Sequence, residues 1–388
     1  MQNSWIVTNI TIIAESETIS NGTVVIKNGV IEKVIKGSWV EEGPVIDGEG
    51  MTLLPGFIDV HIHGANGHDV MDATQEAIKG IADKLPEEGT TSFLATTMTQ
   101  SLENISLAVK NVGEYIVNPS GKAEVIGIHL EGPFISPEKA GAQHPGHIMK
   151  PSVEQFQHWQ KESHNCIRLV TMAPEVEGGI LFISQISESG VVCSIGHTNA
   201  TFEQANEAVE HGARHVTHLY NQMSGIHHRE PGVVGAAFMN PQLMVEMIVD
   251  HIHSHSEAVR LAFQNVGPER AILVTDAMRA KCLPEGTYDL GGQDVVVKDG
   301  EARLIDHTLA GSILTLDEAV RKMKSLASMS EIALMSSANP AKQIGVYDRK
   351  GSISEGKDAD LVLMNEEGRI VLTLCRGEIA YDGRGGES

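Results

Sequence analysis

Residues 191–221, VVCSIGHTNATFEQANEAVEHGARHVTHLYN, read as a strand, a helix and a second strand. Two short apolar runs, VVCSIGHTN (191–199) and HVTHLYN (215–221), flank a segment with helical spacing. That segment opens on Thr201 and Gln204, the three-residue interval of a capping box, and then carries alanines and Val209 at helical intervals. Near-continuous apolar strands joined by helices predict a parallel sheet buried on both faces.

The unit recurs in both directions. Upstream lie FIDVHIHG (57–64), TSFLATTM (91–98), VIGIHLEGPF (125–134) and RLVTMAPE (168–175); downstream lie MVEMIVDHIH (244–253) and AILVTDAM (271–278). Eight such strands predict a (β/α)8 barrel, and no GxGxxG follows the first strand to favour a doubly wound sheet. Ser254 to Glu257 and Thr315 to Glu318 offer further helix starts. After the eighth run, YDLGGQDVVVKDGEARL (288–304) reads as an inserted hairpin, followed by helices over 313–327 and 330–338. Both ends of the chain are rich in β-branched runs and turns: Asn28-Gly29 near the start, Glu367-Gly368 and Arg376-Gly377 near the end. The expected organisation is a small β-sandwich domain built from residues 1–53 plus 346–388, around a catalytic barrel of 54–345.

The chain has 388 residues with a formal net charge of −22. So acidic a surface repels phosphate backbones, which argues against nucleic acid as a partner. No apolar run approaches the ~20 residues of a membrane span, and the first residues lack the basic start of a signal peptide. Cys166, Cys193, Cys282 and Cys375 form no CxxC pair, so neither a disulfide framework nor a thiolate zinc site is predicted. The expected compartment is the reducing cytosol. The count that stands out is 18 histidines.

Polar residues fall at the C-terminal ends of the barrel runs: His61 and His63 on the first, Glu131 on the third, His197 on the fifth, His218 on the sixth, His253 on the seventh and Asp276 on the eighth. In a barrel these ends converge on one mouth. His61 and His63 stand two apart, so on a strand both point the same way. A lone strand-end histidine is ordinarily a hydrogen-bonded polar residue, and Glu131 or Asp276 alone reads as a turn or cap. Their joint placement predicts a borderline-soft nitrogen and oxygen site for Zn2+ or Fe2+, with Mn2+ and Co2+ as alternatives. His211, His227, His228, His251 and His255 lie off these positions and read as solvated surface.

PGFIDVHIHG, HLEGPF, SIGHTNA, THLYNQM, REPG and LVTDAM, in this order, resemble the N-acetylglucosamine-6-phosphate deacetylases of the amidohydrolase superfamily across almost the whole chain. The resemblance implies a primary metal held by Glu131, His197 and His218, and a second held by His61 and His63 and bridged by Glu131. Many amidohydrolases bridge their metals with a carboxylated fourth-strand lysine, and RLVTMAPE contains none. Asp276 is implied as general base and then general acid in hydrolysing the acetamido group, with His253 polarising the carbonyl. Ala142 and Gln143 are implied to bind substrate, Gln143 at a position that touches the substrate carbonyl; Asn221 and Gln222 match positions that contact the sugar phosphate, and Leu309, Ala310 and Gly311 match a loop that lines the sugar. Gln143 departs from the histidine of many relatives, His144 following one residue later, and Gln222 is small in many members. Arg229 is implied to bind the phosphate in the neighbouring subunit's site, and hence a homodimer. Two rival readings stay open: another amidohydrolase, whether an N-acetylgalactosamine-6-phosphate deacetylase or a cyclic amide hydrolase, and a non-catalytic scaffold on the same fold.

Overall fold

The computed structural model describes residues 3–15, 17–37, 39 and 43–384. Eight parallel strands form its central sheet: Phe57–Ile62, Thr90–Thr97, Glu124–Glu131, Ile167–Met172, Val192–Ile195, Ala213–Val216, Met244–Ile248 and Ala271–Val274. Each pairs with the next in chain order. The ring closes just past the eighth strand, where Ala277 bridges Ile62 and the Asp276 amide donates to the His61 carbonyl at 2.8 Å. A helix follows every strand. Phe202–Glu210 begins as predicted, with Thr201 Oγ1 accepting from the Gln204 amide at 3.2 Å and Gln204 Oε1 accepting from the Thr201 amide at 2.9 Å. Its Ala205, Ala208 and Val209 are buried against the barrel. Two other helix starts differ from expectation. Ser256–Val266 is capped by the His255 ring rather than by Ser254, and the Thr315 side chain makes no capping bond. The helix predicted over 313–327 is shorter, at Leu316–Met323, whereas the one predicted over 330–338 runs from Met329–Ala333 through a π turn at Leu334–Ala338 and on into Asn339–Gln343.

The terminal segments form one continuous eight-stranded sheet, ordered Glu378–Asp382, Ile370–Cys375, Leu361–Met364, Thr52–Pro55, Trp5–Ile13, Thr18–Lys27 and Val30–Lys36, with Val45–Asp47 also paired to Trp5–Ile13. The far edge is tied back by bonds from the Ile31 amide to the Lys357 carbonyl and from the Ala359 amide to the Gly29 carbonyl. The sheet therefore wraps its own core. Strand Leu361–Met364 explains why LVLM reads as an unbroken apolar run. Leu361 and Leu363 face the small domain's core, whereas Val362 and Met364 face the barrel's. The division at 53/54 and 345/346 is kept as a proposal; residues 1, 2, 16, 38, 40–42 and 385–388 of the proposed small domain lie outside the described residues.

A partly buried ion cluster joins the terminal sheet to the barrel. Glu124, at the start of the third barrel strand, takes the Arg349 guanidinium at 2.6 and 2.9 Å and Lys350 Nζ at 2.7 Å. Burial opposes its charge, but these cations hold its carboxyl at about 2, below the ordinary 4.5. A carboxyl depressed by folding stabilises the protein above its unfolded value and loses that contribution as pH falls through the folded one. Glu124→Gln is thus expected to lower stability by about 2–3 kcal/mol at neutral pH, with the difference from wild type fading between about pH 4.5 and 2. Paired denaturation curves across that range check this; a pH-independent difference refutes it.

The inserted segment is a three-stranded antiparallel sheet, Gly286–Leu290, Gln293–Lys298 and Glu301–Leu304, with its own apolar cluster that includes Met98 and Met278. It carries the chain back to the barrel. The Ala310 amide bonds the Ala302 carbonyl, and the Ser312 amide bonds the Asp276 carbonyl at 2.8 Å. Residues 309–311 are thereby strapped across the mouth.

Candidate metal and catalytic site

The C-terminal strand ends gather the expected side chains in the buried floor of the mouth. Glu131 stands at the centre. Its Oε1 lies 3.3 Å from Nε2 of His61, His197 and His218, and its Oε2 lies 3.3 Å from His63 Nε2. The turn after it needs glycine: Gly132 has φ +70°, and a Cβ there would lie 2.1 Å from Thr99 Oγ1. Asp276 Oδ1 is 3.1 Å from His63 Nε2 and 3.4 Å from His61 Nε2. His197, His218 and Asp276 have φ of 47°, 29° and 49°, in the left-handed region that non-glycine residues avoid.

These atoms face a common space. His197 Nδ1 donates to the Lys139 carbonyl at 2.8 Å, which leaves its Nε2 lone pair toward His218 Nε2, 3.0 Å away. With its own proton on Nδ1, His218 would turn a second Nε2 lone pair to the same space beside Glu131 Oε1, where a cation could take both. Tetrahedral ligands at ~2.0–2.1 Å from an ion stand ~3.3 Å apart. Glu131, His197 and His218 have that spacing; His61, His63 and Asp276 form a second set whose ligand atoms lie within 4.8 Å of one another. Neither His61 Nε2 nor Glu131 Oε1 has a hydrogen-bond partner among the described residues, although both are buried. The residues fit divalent cations.

The same packing sets the charges. Burial works against the charge on Glu131, but His61, His197 and His218 hold its carboxyl well below the usual range. Burial likewise opposes charge on His63, yet hydrogen bonds with Asp276 and Glu131 lift it to about 9. Asp276 is held below its ordinary value by His61 and His63 in spite of burial. His253 Nδ1 bonds Asp250 Oδ2 at 2.6 Å, and this carboxylate raises its pKa against the effect of burial.

Above the floor lies a crevice of ≈ 470 Å³, including space open to solvent. Ala142, Gln143, Asn221, Gln222, His253, Leu309 and Gly311 all line it, together with Met98 and Leu290. Ala310, the middle residue of the strap, does not line it as expected: it is fully buried in the apolar cluster of the inserted sheet. Gln143, rather than His144, reaches the site: its Nε2 donates to Glu131 Oε2 at 2.6 Å, and its Oε1 accepts from the Thr99 amide at 2.7 Å. His144 instead caps a turn through the Gly146 amide. Arg229 is exposed at the tip of a small turn, stacked in sequence on His227 and His228, and lines no part of this crevice.

Sequence reading missed the layer beneath. His129 Nε2 bonds Thr171 Oγ1 at 2.7 Å, Thr171 bonds Thr217, and Glu246 bonds both His61 and His215. Asp59 accepts from Thr275 Oγ1 at 2.6 Å. Burial pushes His129 down to about 3, so it is a neutral ring. The available signal was period two: His129 precedes Glu131 by two, and His215 precedes Thr217 by two.

A closed parallel barrel that carries imidazoles and carboxylates at spacings set for shared cations is the architecture of a metal-dependent hydrolase. Comparison with known proteins narrows this class. The profile of the amidohydrolase family matches residues 52–380. The N-acetylglucosamine-6-phosphate deacetylase of Bacillus subtilis (strain 168) is 45% identical over 390 residues, covering 98% of each chain. The N-acetylgalactosamine-6-phosphate deacetylase of Escherichia coli O157:H7 is 35% identical over 338 residues, covering 87% of this chain and 89% of its own. Among solved structures, a mutant N-acetyl-D-glucosamine-6-phosphate deacetylase from Mycobacterium smegmatis in complex with N-acetyl-D-glucosamine-6-phosphate superposes with a TM-score of 0.92 at 29% identity, covering 98% of this chain and 100% of that one. The chain belongs to the amidohydrolase family.

Proposed function

We propose that the protein hydrolyses the acetamido group of N-acetyl-D-glucosamine 6-phosphate, giving D-glucosamine 6-phosphate and acetate. The observation that carries this reading is a carboxylate, Asp276, reaching the Glu131–imidazole cluster at the floor of an open crevice, in a chain similar to deacetylases from end to end. A divalent ion at Glu131, His197 and His218, and a second at His61 and His63, would lower the pKa of water from ~15.7 toward about 7 and polarise the amide carbonyl. The mixed imidazole and carboxylate donors suit Zn2+ or Fe2+.

The chain's own groups supply the proton path. Asp276, held in its ionised form, takes a proton from the attacking water as the new C–O bond forms. It then delivers that proton to the amine nitrogen as the C–N bond breaks, so one group serves as base and acid. His253, oriented through Nδ1 by Asp250, presents its Nε2 to the carbonyl oxygen, where negative charge develops. Gln143 steadies Glu131 through its amide. Ala142, Asn221, Gln222 and the Leu309–Gly311 strap would enclose the sugar.

The phosphate is assigned to Arg229 of a second subunit, so a homodimer is part of the proposal. Exposure of Arg229 outside its own crevice supports this. All four cysteines are free thiols, which supports a cytoplasmic setting. Among the described residues no helix is long and apolar enough to cross a membrane. Arg229→Ala is expected to lower kcat/KM for the phosphorylated sugar by ~10–100-fold, because hydrogen bonds to a dianion are strong. The unphosphorylated sugar should be turned over as poorly as before. Acetate release from both sugars and from N-acetylgalactosamine 6-phosphate, with wild type and variant, tests the reading. Equal losses on both sugars would make Arg229 structural, and preference for the galactose epimer would replace the proposed substrate.

A further inference from the structure

Glu246 lies in the middle of the seventh barrel strand, fully buried beneath the cluster. Its Oε2 accepts from His61 Nδ1 at 2.9 Å and from the His218 amide at 3.0 Å, and its Oε1 accepts from His215 Nε2 at 3.0 Å. Its own carbonyl accepts from the Leu219 amide at 3.0 Å. One residue therefore grips two consecutive amides at the place where His218 is bent to φ 29°. It also fixes the His61 ring with Nδ1 protonated, so that Nε2 faces Glu131 and Asp276. A space-filling residue here would be apolar, since an ionised carboxylate in a barrel core is costly to bury unless its bonds do something.

We propose that Glu246 is a positioning residue that presets one ligand in each half of the cluster: His61 through its ring and His218 through its backbone. This rests on the reading of those residues as metal ligands. A carboxylate on the far nitrogen of a ligating imidazole fixes its tautomer and raises its basicity, and losing such a partner typically weakens metal binding ~10–100-fold. The two halves should respond unequally. His61 depends on the carboxylate's charge, whereas the His218 amide needs only an acceptor.

The test is Glu246→Gln, which keeps an acceptor oxygen and removes the charge. Apo protein is titrated with Co2+, following both dissociation constants and the visible Co2+ bands. The expected result is a ~10–100-fold weaker ion at the His61 site, a smaller change at the Glu131–His197–His218 site, and altered bands for the weaker ion. Two wild-type affinities with wild-type bands would overturn the proposal, as would equal weakening of both sites. Should Glu246→Gln fail to fold, Glu246→Asp retains the charge at shorter reach; wild-type affinities in that variant would likewise refute positioning. Wild-type protein that binds no ion would sink the metal reading itself. Wild type binding two ions with an indifferent Glu246→Gln removes the Glu246 assignment alone.

Discussion

Asp276→Asn is expected to reduce kcat by about 10²-fold or more while KM changes little and the ion at Glu131, His197 and His218 is retained. Asparagine preserves the shape that fits 3.1 Å from His63 and keeps an oxygen for the ring. What it lacks is a basic oxygen that can take a proton from water and return it to the departing amine. Because Asp276 also touches the His61 and His63 rings, metal content must be measured on the same sample. A variant with near-normal kcat would remove Asp276 from the chemistry. A fall in kcat matched by loss of the primary ion would make it a ligand first.

Replacing Glu131 should be more severe. This single carboxylate meets all four imidazoles at 3.3 Å, so both proposed ions would share it. Glu131→Gln removes the negative charge and turns one oxygen into an NH2 group, which has no lone pair to give a cation. Metal content should drop from about two ions per chain to below one, and turnover by about 10³-fold or more, since a lost Lewis acid removes several kcal/mol of stabilisation. The paired substitution His61→Ala with His63→Ala should leave about one ion and an intact fold. That contrast separates a shared ligand from a dedicated one. If both proteins lose the same amount of metal, Glu131 does not bridge. If fully loaded wild type never exceeds one ion, the two-ion reading is wrong.

Much of the barrel was legible because its strands are buried on both faces and separated by helices with recognisable starts. The run 191–221 shows this: the Thr201–Gln204 box stands where the pattern puts it, and strands form at Val192–Ile195 and Ala213–Val216, the second starting before the run 215–221 and ending well short of its end. The floor of the mouth was legible for a related reason. Strand ends in a barrel converge, so polar residues at the ends of apolar runs must meet. Glu246, His129 and Asp59 were hidden by the same rule. They sit inside runs that average apolar, and only the period-two register reveals that they point to the barrel axis. Asp250, which orients His253, was obscured because it lies in a loop whose shape depends on its own bonds to the Ile252 and His253 amides. The Ser254 start failed for a local reason, the His255 ring supplying the acceptor instead. The inserted hairpin was readable as strands and turns, but not as the piece that straps residues 309–311 over Asp276. That depends on pairing across the mouth, which no local pattern encodes.

The left-handed backbones of His197, His218 and Asp276 have a consequence for how this enzyme can be improved or can drift. Glycine at any of the three would relieve roughly 1–2 kcal/mol of conformational strain. A selection for heat resistance alone would therefore bear on the very side chains proposed to act at the mouth. Directed evolution for thermal tolerance should be paired at every round with a turnover screen, or confined to the terminal sheet and outer helices. In a lineage released from the need for turnover, these three positions are where decay should begin, and glycine there would be its earliest mark.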